Sequence, residues 1–210
     1  MRFGPFFHTD PIGLTFAADH QHTRTDPALD AVWQLTLDPS KPLSLNTTLG
    51  LRVQTLSLYP VFLSANQAYS EPGSFFTPPR VEDCLPNYAL IAAHPIKEMG
   101  VRYEFWARES WEVVGRMTVT NHGDTLAEFG VQMLGDLVPL ASAEGFTPTK
   151  FQFDTYLKGS AGDLGVGFAI DSHARGLLSP LPGLWWHKAL TAGESASFFR
   201  SEERRVGKEC

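Results

Sequence analysis

Chemistry in this 210-residue chain would have to come from a few scattered groups. His20 and His22 form an HxH pair, and on a strand alternate residues share a face, so two imidazoles could reach one metal ion. A zinc site takes three or four ligands and no further one can be picked out; the expectation is polar residues beside a turn, with no metal and no cofactor. Carboxylates stand at Asp19, Asp26, Asp83, Glu104, Glu109, Asp136, Glu144 and Asp154. A pair of acids roughly 5–10 Å apart is what glycoside cleavage needs, but nothing in the spacing brings two of these together. GDLGVGF (162–168) is not in the GxGxxG order and reads as turn plus strand. There is no GxSxG, no phosphate loop and no CxxC. No catalytic residue is assigned.

Aromatic side chains offer a different chemistry. The chain holds 15 Phe, 5 Trp and 5 Tyr. Sugar rings present apolar C–H faces that stack on aromatic rings, while neighbouring polar groups bind the hydroxyls. Trp106 falls on the polar side of its alternating run, between Glu104 and Arg108. Trp185 and Trp186 must divide between two faces if their segment is a strand. His94 and His187 lie in apolar runs, where a satisfied core role is expected.

The elements that would position such groups are strands. GLTFAAD (13–19) alternates Leu14, Phe16 and Ala18. AVWQLTL (31–37) puts Ala31, Trp33, Leu35 and Leu37 on one face. In 49–63, Leu49, Leu51 and Val53 share a side and Leu56 and Leu58 take the other, so a bulge is expected at Gln54–Thr55. YALIAAH (88–94) reads as a strand buried on both faces, and VRYEFWAR (101–108) alternates Val101, Tyr103 and Phe105 with Arg102, Glu104 and Arg108. WEVVGRMTVTNHGDTLAEFGVQML (111–134) reads as a hairpin. Trp111, Val113, Met117 and Val119 line one face of its first arm, residues 121–124 make the turn, and Phe129, Val131 and Met133 line the return.

Further strands are expected at 151–157, 165–170, 184–190 and 195–199, with one helical turn in 137–145. The stretch 64–86, with four prolines and no period, reads as a long loop. Short runs split by 18 Gly and 15 Pro imply an all-β, antiparallel β-sandwich with little helix.

Bulk properties narrow the partners. The formal net charge of −6 and the lack of a basic stripe exclude a phosphate-tracking surface, so no nucleic acid is expected. No run approaches the roughly 20 apolar residues of a spanning helix, and no signal peptide is visible, which implies no membrane and a cytoplasmic location. With only Cys84 and Cys210, a disulfide framework is not expected.

The stretch EMGVRYEFWARESWEVVGRMTVTNHGDTLAEFGVQMLGDLVPL (98–140) resembles the N-terminal β-supersandwich of glycogen-debranching-like and related glycoside hydrolases and phosphorylases. The carriers are a Gly-Val strand, a Trp-led strand ending in Val-Thr-Asn, a polar turn and a closing strand. GPFFHTDPIGLTFAADH looks like the start of such a domain. The resemblance implies a non-catalytic accessory domain over 1–200. It would pack on an (α/α)6 catalytic barrel that holds the cleaving acids, beside an oligo- or polysaccharide. Its 64–86 loop would reach toward the cleft, so Tyr69, Phe75, Phe76 and Arg80 in that loop, together with Trp106 on the polar side of its run, are the candidate carbohydrate or inter-domain contacts. A free-standing carbohydrate-binding module and a small sandwich-fold sugar epimerase are the other readings. The end, SEERRVGKEC (201–210), resembles a read-through segment appended to unrelated conceptual translations, which implies a non-native tail.

Overall fold

A computed structural model describes residues 13–17, 31–65, 67–109, 112–140, 144–151, 154–162, 164–170, 174–178 and 181–201. Among them run sixteen strands and one short 3-10 turn, Pro72–Ser74. The all-β sandwich expected from the alternation is what forms. Sheet A has the order β1 (Gly13–Ala17), β2 (Val32–Thr36), β3 (Ser44–Thr47), β4 (Val53–Ser64), β10 (Ala127–Pro139), β15 (Gly183–Leu190), β14 (Arg175–Leu177), with β5 (Gln67–Tyr69) added on β4. Sheet B runs β11 (Thr147–Phe151), β12 (Asp154–Ala161), β13 (Leu164–Ile170), β16 (Ser195–Ser201), β9 (Glu112–Asn121), β8 (Met99–Glu109), β7 (Tyr88–Ile96), β6 (Thr77–Leu85). Every pairing is antiparallel.

The inward faces of both sheets merge into one core. Ala31, Trp33, Leu35 and Leu37 are all buried, as their spacing requires, and so are Val101, Tyr103 and Phe105. Rings from opposite sheets meet across the middle: Phe16 of sheet A lies 6.1 Å from Phe105 of sheet B, and Trp186 of sheet A lies 4.8 Å from Phe198 of sheet B. Burial of apolar area on this scale is the main force holding the layers together.

The segment 111–134 is not a hairpin. β9 pairs with β8 and β16, whereas β10 pairs with β4 and β15 in the other sheet. Residues 122–126 form an arch that carries the chain from one layer to the next. Sheets stack about 10 Å apart, a gap that five residues cross easily. Val113, Met117 and Val119 therefore face Phe129, Val131 and Met133 across the core instead of lying beside them. Asn121 secures the corner. Its Nδ2 donates to the carbonyls of Thr125 (2.8 Å) and Leu190 (2.9 Å), and its Oδ1 accepts from the Gly123 amide (2.8 Å). Its own backbone bonds Glu194 and Gly193.

Other expectations are corrected. The stretch 64–86 is mostly ordered structure: β5, the 3-10 turn and the nine-residue edge strand β6. Proline reads as a loop signal, but an edge strand tolerates it because its outer edge needs no donor; the register breaks between Thr77 and Arg80, where Pro78 and Pro79 sit. Residues 49–52 are a turn rather than strand, with Leu49, Gly50 and Leu51 at φ 49, 60 and 60 and Leu51 exposed. The expected bulge does occur: Val138 pairs with Thr55 and Pro139 with Val53, leaving Gln54 over. The run 151–157 divides between the end of β11 and the start of β12. Of 137–145, residues 137–139 belong to β10 and 141–143 lie outside the described residues, as do Trp111, Ala18, His20 and His22. Ser201 ends β16 by pairing with Val114; residues 202–210 are outside the described residues.

Where β12 lies close over β10, two glycines are required by space. A Cβ on Gly159 would stand 2.6 Å from Leu137 Cδ2 and 3.1 Å from the Glu144 carbonyl; one on Gly135 would stand 2.9 Å from both Leu157 and Phe146. Gly159→Ala is expected to destabilise the fold by about 2 kcal/mol, because overpacking a filled core forces backbone shifts. Urea denaturation checks this; a loss below about 0.5 kcal/mol would mean that the layers have slack there.

Candidate functional site

Alternation in sheet B sends one set of side chains into the core and the other onto an outward face. On β8 and β9 that outward set is mainly polar and aromatic, and β7 adds Tyr88 together with Leu90 and Ala92. Tyr88 lies opposite Trp106, Glu104 opposite Arg116, and Arg102 opposite Thr118, which in turn faces Ser197 on β16. This direct, one-to-one register makes the site, since side chains opposite each other on one face are about 5 Å apart at Cβ.

The first row is a pair of rings: Tyr88 and Trp106 have centroids 5.3 Å apart, tilted by 42°. In the next row Arg116 makes a forked ion pair with Glu104, its Nε to one oxygen and its Nη2 to the other at 2.8 Å. The Tyr88 hydroxyl donates to Glu104 Oε1 at 3.3 Å, and the Arg116 guanidinium carbon lies 5.8 Å from the Trp106 ring centroid. Four side chains thus fix one another. A guanidinium over an aromatic face gains cation–π attraction, and the fork adds direction. Beyond them come two hydroxyl pairs, Thr118–Ser197 at 2.7 Å and Thr120–Ser195 at 2.8 Å.

Arg116 holds the Glu104 carboxyl below its ordinary 4.5, against burial, which pushes it up. Burial, and then the charge of Glu104, raise the Tyr88 phenol. A depressed carboxyl stabilises the fold above its unfolded value and loses that contribution as pH falls through the folded one. Glu104→Gln is therefore expected to lower stability at neutral pH and to flatten the acid limb below about pH 4.5. Thermal denaturation from neutral to acid pH measures it; parallel curves for the two proteins would show that the pair contributes nothing.

The residues singled out in the sequence disperse. Trp106 is half-buried in the platform. Arg80 is exposed on β6 and aligned with Ala92, on the flank of the same face. Phe76 is 62% exposed next to the 3-10 turn. Tyr69 is half-buried on β5, its hydroxyl on Gln67. Phe75 is no surface contact: it is buried, edge-on to Phe62 at 5.7 Å, and serves the core. YALIAAH is buried throughout on its inward face, at Ala89, Ile91 and Ala93; on the other face only Leu90 is buried, while Tyr88, Ala92 and His94 remain partly open. Neither His94 nor His187 takes the expected core role: His94 is half-buried and His187 exposed. His94 stacks on His122 at 5.1 Å, and His122 lies over Gly100, where a Cβ would meet its ring at 2.3 Å. His187 Nε2 stands 3.6 Å from Glu128 Oε2 on the outward face of sheet A, with Trp185 5.8 Å from it.

Tyr88, Glu104 and Arg116 went unassigned as site residues. Glu104 and Arg116 stand on the polar sides of their runs, so the missing information was the register that joins them. Among the described residues no three His, Cys, Asp or Glu side chains gather into a metal site.

No family profile matches this chain. No curated protein matches it in sequence. Solved structures do match. A galactose mutarotase related enzyme from Lactobacillus acidophilus superposes with a TM-score of 0.55 at 7% identity, over 92% of this chain and 97% of that one. A Synechocystis protein superposes with a TM-score of 0.53 at 9% identity, over 98% and 100%. A polysaccharide lyase superposes with a TM-score of 0.52 at 12% identity, over 86% of this chain, which spans 33% of the lyase. At these identities the likeness is one of architecture: the chain has the two-layer antiparallel fold that a mutarotase-related enzyme and part of a polysaccharide lyase also have.

Proposed function

We propose that this chain is the non-catalytic β-sandwich of a carbohydrate-active protein and that the outward face of sheet B is its glycan-contact surface. The observation that carries this reading is the Tyr88–Trp106 shelf beside the Glu104–Arg116 fork. Adjacent, tilted rings supply the apolar contact a sugar face needs, and fixed charged hydrogen-bonding groups next to them supply orientation. The sandwich in the lyase, where the matching region is a third of a longer chain, supports an accessory role. In that role the domain braces an (α/α)6 catalytic partner, and exposed Phe76 and Arg80 lie on the flank that would meet either partner or substrate.

Calorimetry against starch, glycogen and β-glucans tests the contact surface. Binding to at least one is expected, and Trp106→Ala should weaken it by about tenfold, the loss typical of a buried aromatic anchor. No heat with any of the three would remove the reading. For the accessory role, the source gene should continue past Arg200 into helical repeats.

A second reading, a small sugar epimerase, is favoured by one observation: His187 and Glu128 converge beside Trp185. Polarimetry on fresh α-anomers of galactose and glucose decides it. Acceleration lost in His187→Ala would support this reading and displace the first.

A further inference from the structure

The rows on the outward face of sheet B continue without a break. β8 and β9 keep one-to-one register from Met99–Asn121 to Ala107–Val113, and β9 and β16 from Thr120–Ser195 to Val114–Ser201. Outward rows recur every two residues, about 7 Å apart, so the distance from the Trp106 row to the Gly100 row is about 20 Å. In order along the strands come the ring shelf (Tyr88, Trp106), the fork (Glu104, Arg116), the Arg102–Thr118–Ser197 row and the Thr120–Ser195 row. In the third row Arg102 reaches across β7, where Ala92 is its partner, to Glu82 of β6, and at the far end His122 stands over Gly100. The rows follow one another in line along β8 and β9, an arrangement that matches an extended chain better than a coiled one.

Charge narrows the ligand further. Each arginine of β8 and β9 is matched by a glutamate: Arg102 with Glu82 at 2.9 Å, Arg108 with Glu112 at 3.2 Å, and Arg116 with Glu104. The strip is dense in charge but carries almost no net field, and the chain as a whole is at −6. With each guanidinium already paired to a carboxylate, a polyanion would gain little steering from the strip.

Resting on the contact surface proposed above, we infer that the strip takes an uncharged, straight glycan, one whose successive rings lie near a single plane, laid along β8 and β9. One ring stacks on Trp106, and the following sugars run toward the paired hydroxyls of Thr118–Ser197 and Thr120–Ser195. Affinity should therefore grow with chain length and be indifferent to salt, since no ion pair forms between protein and ligand.

The test is calorimetry of the whole chain with cellobiose, cellohexaose, maltohexaose and a galacturonate oligomer of matching length. Cellohexaose is expected to bind about tenfold tighter than cellobiose, with no change between roughly 0.05 M and 0.5 M salt. Trp106→Ala should weaken that binding by about tenfold, while Trp106→Phe, which keeps an aromatic face, should retain most of it. Preference for maltohexaose would overturn straightness, and preference for the galacturonate, weakening with salt, would overturn neutrality; either leaves the glycan-contact reading intact. Silence with all four, together with silence toward starch, glycogen and mixed β-glucans, would remove that reading as well.

Discussion

Trp33→Ala is expected to cost about 4 kcal/mol of folding stability. Among the described residues Trp33 is the largest side chain that is wholly buried, at 0% exposure. It sits on β2 opposite Phe16 of β1, within the joint core of the two sheets. Truncation removes the transfer energy of the indole and leaves a cavity that neighbours on two hydrogen-bonded strands cannot collapse to fill. Trp33→Phe keeps most of the volume and should lose much less, about 1–2 kcal/mol. Urea denaturation of the three proteins gives both figures, and the alanine variant should melt roughly 10 °C or more below the parent. Equal losses for the two variants would mean that size is not what matters at this position, contrary to the packing described.

Asn121→Ala is expected to cost about 3 kcal/mol, more than an ordinary lost hydrogen bond. The amide is fully buried and makes three bonds, to Thr125, Leu190 and Gly123. Removing it leaves the buried Leu190 carbonyl without this donor, besides the bonds to Thr125 and Gly123 at the edge of the arch, and an orphaned buried polar group costs more than the bond contributed. Those partners lie on the arch and at the end of β15, so the loss should appear first as loosening where the layers join. Hydrogen exchange at Gly123 and Gly193 would report it, with both amides losing protection in the variant. Asn121→Asp keeps the acceptor, loses both donors and buries a charge, and should do no better than alanine. Protection unchanged at both amides would show that the corner holds without the side chain.

Much of the fold could be read from residue order. Period-two runs at 31–37, 101–108 and 112–120 told which side chains would be buried, and the phase change at Gln54 told where a bulge would fall. Proline misled at 64–86, because its signature for a loop is the same as for a protected edge strand. Left-handed turns misled at 49–52, where the leucines kept the alternation but the backbone did not.

By itself, the sequence determined that this chain is layered β-structure, which face of each strand is apolar, and that Trp106 stands on a polar side. Those properties follow from alternation, which is local and needs no knowledge of neighbours. Only the tertiary structure decided that β9 and β10 belong to different sheets, that Phe75 turns inward, and that Glu104 meets Arg116 beneath Tyr88 and Trp106. Partner and register are set by pairing between strands far apart in the chain, and a run of alternating residues carries the same pattern whichever strand it lies against.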